Sequence, residues 1–113
     1  MKPIRIQLSR KKGWRKPENT VVVSRPTKWG NPIEVWKCND WWQVIVPFCQ
    51  PINVATRVDA HAESVRLFEA WVNQDPCYIE RIKRELKGKN LACWCPLDCA
   101  CHADVLLRIA NSP

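Results

Sequence analysis

"NLACWCPLDCACHADVLLRIAN", residues 90–111, decides how this chain is read. Asn90–Trp94 is short and apolar enough for a buried strand. Cys101–Asn111 carries Val105, Leu106 and Ile109 at helical spacing, so the chain closes on a helix. Strand, loop and helix hold four of the chain's seven cysteines and one of its two histidines.

On a strand, Cys93 and Cys95 point to one face and Trp94 to the other. Cys101 and His102 are adjacent where the helix starts. A period of 3.6 residues turns their side chains about 100° apart, which predicts a poor pair for a single tetrahedral ion. The spacing C-x-C-x5-C-H also differs from paired C-x2-C knuckles. Three readings stay open. As a zinc site, Cys93, Cys95 and Cys101 bind the ion, with His102 or Cys99 as fourth ligand. As a catalytic pair, Cys101 is a thiolate favoured by the helix N-terminus and His102 is its base. Otherwise the cysteines are small buried hydrophobes.

Working outward, Ile4–Leu8 alternates as a half-buried strand, and Thr20–Ser24 is β-branched and continuously apolar, as in a strand buried on both faces. Ile33–Lys37 and Trp41–Val46 form a hairpin around Cys38–Asp40. A helix runs from Asp59, its N-cap, with Val65, Leu67, Phe68, Trp71 and Val72 on the apolar face. A second has Asp75 as N-cap, Pro76 at its first position and Gly88 as its stop. The pattern predicts an α/β fold in which 1–113 is one domain: a small mixed sheet with a parallel central pair, flanking helices and an added β-hairpin. The pair is Thr20–Ser24 with Asn90–Trp94, parallel because helices join them.

Ligands of open α/β sheets bind beyond the carboxyl ends of parallel strands. "RPTKWGNP", residues 25–32, leaves one such end, and "CPLDCACH", residues 95–102, leaves the other. Arg25 and Lys28 are cationic donors, Trp29 offers a flat face, Gly30 permits close backbone approach, and Asn31 both donates and accepts. Asp104 caps the last helix or touches this edge. The predicted ligand set is therefore Arg25, Lys28, Trp29, Gly30, Asn31 and Asp104, beside the metal or catalytic candidates Cys93, Cys95, Cys101 and His102. His61 reads as a solvated helix residue.

The whole sequence bounds the partner. Its 113 residues carry a formal net charge of +7. Basic runs at Arg10–Lys16 and Glu80–Lys89 favour anions. No apolar run approaches the roughly 20 residues of a membrane span, so no membrane partner is expected. The first residues lack the apolar core of a secretory signal, which predicts a cytoplasmic protein with reduced thiols. An odd cysteine count also argues against a disulfide framework. The expected function is binding, with or without processing, of a small anionic nucleotide-like ligand. The alternative is a zinc-stabilised module that binds nucleic acid or protein through a basic surface.

"RPTKWGNP" and "LKGKNLACWCPLDCACHADVLL" resemble the two signature blocks of domain of unknown function family 4326. The match takes in Arg25, Pro26, Trp29, Gly30, Asn31, Pro32, Cys93, Trp94, Cys95, Cys101, His102, Asp104, Val105 and Leu106, with the helix "ESVRLFEAWV" between the blocks. The resemblance implies a small bacterial or phage protein and, since the family's name assigns no activity, no reaction. Cys99 departs from the family pattern, which weakens it as a ligand. The hairpin is longer than the family minimum, as an addition over the site would be. The Cys-His pair opening a helix is also similar to that of another uncharacterised α/β family, in which an arginine stands where this chain has Ala103.

Overall fold

Asn90 enters a strand that has a partner on each side, and this settles the architecture. The computed structural model describes residues 2–113. In chain order its elements are β1 (Arg5–Gln7), β2 (Thr20–Val22), β3 (Glu34–Lys37), β4 (Trp42–Ile45), β5 (Ile52–Val54), α1 (Arg57–Asn73), α2 (Pro76–Leu86), β6 (Asn90–Cys93) and α3 (His102–Ala110).

β6 lies between β1 and β2, parallel to both. Thr20 faces Asn90 and Val22 faces Ala92 on one side, while Arg5 faces Leu91 and Gln7 faces Cys93 on the other. The expected parallel pair is present, with β6 alone at the centre. β2 is an edge strand and only half-buried, not buried on both faces. Nothing pairs on its outer side among the described residues, and full burial begins one residue later, at Val23.

The antiparallel strands form a second sheet, in the order β3-β4-β5. The hairpin was expected; its third strand was not. Ile52–Val54 is three residues long, too short for a period-2 pattern to register. α1 touches β3, β4 and β5 of this sheet as well as α2 and α3, and α3 touches β1 and β6. The helices thereby connect the two sheets.

Helix ends follow capping chemistry. α2 begins as expected: Asp75 accepts from the Tyr78 amide at 3.1 Å, and Pro76 opens the first turn. Gly88, just past its end, has φ +74. α1 begins earlier than expected. Thr56 is its N-cap, accepting from the Asp59 amide at 3.1 Å, so Asp59 lies in the first turn, where its charge suits the helix dipole.

Phe68 of α1, Ile82 and Leu86 of α2, Leu91 of β6 and Leu106 of α3 are fully buried together. Each contributes about 1.5–3 kcal/mol through apolar burial. This core holds the carboxyl end of the parallel sheet against the start of α3.

Candidate metal centre and adjoining cavity

Three loops leave the carboxyl edge of the parallel sheet. The Leu8 amide donates to the Cys93 carbonyl at 2.9 Å, and the Val23 amide donates to the Ala92 carbonyl at 2.8 Å. The segments after β1, β2 and β6 therefore diverge from neighbouring points. Between the second and third loops lies a cavity of about 220 Å³. Arg25 and Asn31 line it from one loop, Cys93, Trp94, Cys95 and Cys101 from the other, and His61 and Ser64 from α1.

The thiol sulfurs of Cys93, Cys95 and Cys101 lie within 4.8 Å of one another. Sγ of Cys93 and Sγ of Cys95 are 3.9 Å apart, but not through strand alternation: β6 ends at Cys93, and Trp94 and Cys95 lie in the bend that follows, where both line the same cavity. Sγ of Cys101 lies 3.6 Å from Nδ1 of His102. The two side chains thus approach each other despite the expected divergence, although His102 is not among the three residues whose ligand atoms all lie within 4.8 Å of one another. Cys101 is the N-cap of α3, with extended φ −143 and ψ 146, so helical rotation does not operate between it and His102.

His102 is 4% exposed, and its Nε2–H donates to the Val23 carbonyl at 2.7 Å. That bond fixes the tautomer and leaves Nδ1 facing the sulfurs. Its ring packs edge-on against Phe68, with centroids 5.3 Å apart. Charge in the cluster is shared. Hydrogen bonds from Cys101 and Cys95 hold Cys93 well below the usual thiol range. Hydrogen bonding with Cys101 and Cys93, then burial and their charges, push Cys95 up. Burial pulls His102 down, but its hydrogen bonds to Cys101 and Cys93 and the charge of Cys101 outweigh this and raise it to about 9. A negative sulfur cluster calls for a cation, either a proton on His102 or a metal ion.

Cys99 is buried but lies outside this cluster, in the turn where its amide donates to the Pro96 carbonyl at 3.1 Å. That turn is held from below by Arg5 of β1. Its Nη2 donates to the carbonyls of Pro96 (3.3 Å) and Leu97 (2.8 Å). Its buried Nη1 lies 3.4 Å from the Asp104 carboxylate without forming an aligned hydrogen bond. Asp104 thus serves the loop through Arg5 and does not line the cavity.

The other predicted ligand residues divide. Arg25 and Asn31 reach the cavity; Lys28, Trp29 and Gly30 do not line it. Lys28 pairs with Glu85 at 2.7 Å. Trp29 is 4% exposed and packs on Tyr78, with ring centroids 5.7 Å apart. A Cβ on Gly30 would come within 2.9 Å of Arg25 Cγ, so the close approach that needs glycine is to Arg25 itself. Arg25 donates from Nη1 to the Asn31 carbonyl at 2.7 Å, closing the loop on itself. Asn31 is buried and committed: it donates to Ser64 Oγ at 3.0 Å and accepts from the Ile33 amide at 2.9 Å.

Two cavity residues escaped the sequence reading. His61 and Ser64 stand three apart on α1, a spacing that puts them on one face. Burial, and secondarily Arg57, lower the His61 pKa below 6.5. The hairpin contributes Ile33, just before β3, and Val35 to the cavity wall. Trp36 and Trp41, at its far end, are exposed. Among the described residues, no helix is long and apolar enough to cross a membrane.

One family model matches residues 6–112, nearly the whole chain, and is described as "Domain of unknown function (DUF4326)". No curated protein matches the chain. No solved structure matches it either.

Proposed function

We infer the function of this chain, which belongs to the DUF4326 family whose description names no activity, from the chemistry of its site. We propose that it holds a zinc ion on Cys93, Cys95, Cys101 and His102 and binds a small anionic, nucleotide-like ligand in the adjoining cavity. The carrying observation is metric. Zinc bonded tetrahedrally at about 2.3 Å to sulfur and about 2.0–2.1 Å to nitrogen requires S···S separations near ~3.8 Å and S···N near ~3.6 Å. The chain offers 3.9 Å between the Cys93 and Cys95 sulfurs and 3.6 Å between the Cys101 sulfur and His102 Nδ1.

Three thiols are already clustered, and Nδ1 of His102, beside Cys101, is drawn in as the fourth ligand; a sphere so closed makes the metal a support for the cavity wall and leaves ligand binding to other groups. Arg25 is the cation facing the cavity, while Ile33, Val35 and Val65 give it an apolar side. An apolar ring carrying an anionic group suits such walls. At about 220 Å³ the cavity is smaller than most small-molecule sites, so it takes the ring and leaves the anionic part at the mouth.

Elemental analysis and calorimetry test both halves. Purified protein carries about one zinc per chain and loses thermal stability on chelation. Adenosine monophosphate and the other common mononucleotides are then titrated into the loaded protein, with Arg25→Ala as control. The loss of one charge-assisted bond weakens binding about 10- to 150-fold. Protein that stays metal-free after zinc is supplied under reducing conditions sinks the metal half. Absence of heat with every mononucleotide sinks the ligand half.

The Cys101–His102 contact also favours a second reading, a thiolate nucleophile with an imidazolium partner. Cys101 is 1% exposed, which favours the metal. Alkylation separates the two: a nucleophile reacts with iodoacetamide at neutral pH, whereas a zinc-held thiolate is protected until chelator is added.

A further inference from the structure

We propose that the rim of the cavity is a docking surface for single-stranded nucleic acid. Trp94 is its stacking platform and the loop Arg10–Lys16 is its phosphate track. This stands apart from the cavity reading and survives if no free nucleotide binds there.

Trp94 follows the cysteine strand, lines the cavity and is 45% exposed. The Arg10 guanidinium lies over its ring, with Cζ 4.9 Å from the centroid. A planar cation on an indole makes a platform on which a base can stack. Arg10 opens a run in which Lys11, Lys12, Arg15 and Lys16 follow within six residues. The run leaves the carboxyl end of β1, beside Cys93, so its cations begin at the same edge as Trp94. All five are exposed, and none has an ion-pair partner among the described residues. Trp14 sits half-buried within the loop, next to Gly13 at φ +87.

The other basic run differs. Arg81 and Arg84 of α2 share Glu85 with Lys28, which offsets their field locally. The five cations of Arg10–Lys16 have no such partner among the described residues, and they lie beside the exposed indole. An aromatic face accepts only a base free of its own stack, which selects a single strand over a duplex.

The test is fluorescence anisotropy of the full chain with labelled oligothymidylate of about twelve nucleotides, within the usual site size for such surfaces. The expected result is saturable binding that weakens as salt rises and exceeds binding to a duplex of equal length. Trp94→Ala weakens it about 5- to 150-fold, one stacked base, and Trp94→Phe restores most of that. Arg15→Glu with Lys16→Glu lowers the salt slope by about 1.4, two phosphate contacts at ~0.7 each. Circular dichroism confirms that each variant is folded. If Trp94→Ala does not fold, Trp94→Phe and Arg10→Ala carry the test, and Arg10→Ala must weaken binding. No binding at about 50 mM salt overturns the proposal. So does equal affinity for strand, duplex and heparin that Trp94→Ala or Arg10→Ala leaves unchanged, since that describes a plain polyanion surface.

Discussion

Nε2 of His102 donates to the carbonyl of Val23 at 2.7 Å, across 79 positions of sequence. The bond ties the first residue of α3 to the chain just beyond β2. It therefore joins the two loops that enclose the cavity. It also commits the ring: with the proton on Nε2, only Nδ1 is left for the sulfurs. Metal-ligating histidines are commonly oriented in this way by a second bond to a carbonyl.

Cys95→Ser and Cys99→Ser should part company. Cys95 belongs to the sulfur cluster, and Cys99 is a buried neighbour outside it. Cys95→Ser is expected to weaken zinc affinity at least 10-fold, the low end of what even outer-shell changes cost. Cys99→Ser should retain the metal. Zinc content by elemental analysis and a competition titration with a chelating dye read both. Equal loss in the two variants would refute the ligand assignment.

Asn31→Ala is expected to destabilise the fold by about 1–3 kcal/mol. The side chain joins α1 to the loop, donating to Ser64 Oγ and accepting from the Ile33 amide, at a buried site. Alanine leaves the buried Ile33 amide without its acceptor. Urea unfolding measures the cost. A change within a few tenths of a kcal/mol would mean that water replaces the amide and that Asn31 is free to serve a ligand.

Gly30→Ala should act on Arg25. The added Cβ meets Arg25 Cγ at 2.9 Å and its Cα at 3.0 Å, and backbone yields less readily than a flexible side chain. Overpacking of this kind costs about 1–3 kcal/mol. The variant is expected to unfold at lower urea and to bind anions less well, because the guanidinium moves from the cavity wall. Wild-type stability in the variant would show that the loop relaxes without strain.

His61 is expected to titrate below 6.5, held down first by burial and second by the charge of Arg57. The sign follows. As pH falls through 6.5 the unfolded chain takes up the proton before the folded one does, so stability present above that value is lost progressively. Nuclear magnetic resonance of the His61 ring gives the midpoint directly. Arg57→Ala should recover only the smaller part of the shift. A wild-type midpoint at or above 6.5 would remove His61 from a half-buried cavity wall.

Much of this arrangement was legible in the sequence. Asp75-Pro76 at one end and Gly88 at the other delimit α2, because capping is local chemistry. That Arg25 and Asn31 share a cavity with Cys93, Cys95, Cys101 and His102 follows from parallel pairing, whereas Lys28, Trp29 and Gly30 of the same loop lie outside it. What stayed hidden depended on long-range packing or backbone detail. The 3.6 Å approach of Cys101 to His102 comes from one extended residue at a helix boundary. Trp29 looked like an open face, and only the fold shows Tyr78 against it. His61 and Ser64 carried the right spacing on α1, but spacing could not say that this face meets a cavity.

The order of strands has a consequence for synthesis. β6 is the centre of its sheet but almost the last element made, and Arg5 must wait for Leu91 to find its partner. At roughly 5–20 residues per second on a ribosome, that gap lasts several seconds. The hairpin with β5, then α1 and α2, can assemble meanwhile from contacts close in sequence, while β1 and β2 remain unpaired ribbons exposed to other chains. The cysteine strand is the piece that ends this exposure. The segment from Asn90 to His102, which carries the pairing strand, the sulfurs and His102, therefore also times the completion of the fold, and a truncation before residue 90 should leave a chain prone to aggregate rather than a smaller stable protein.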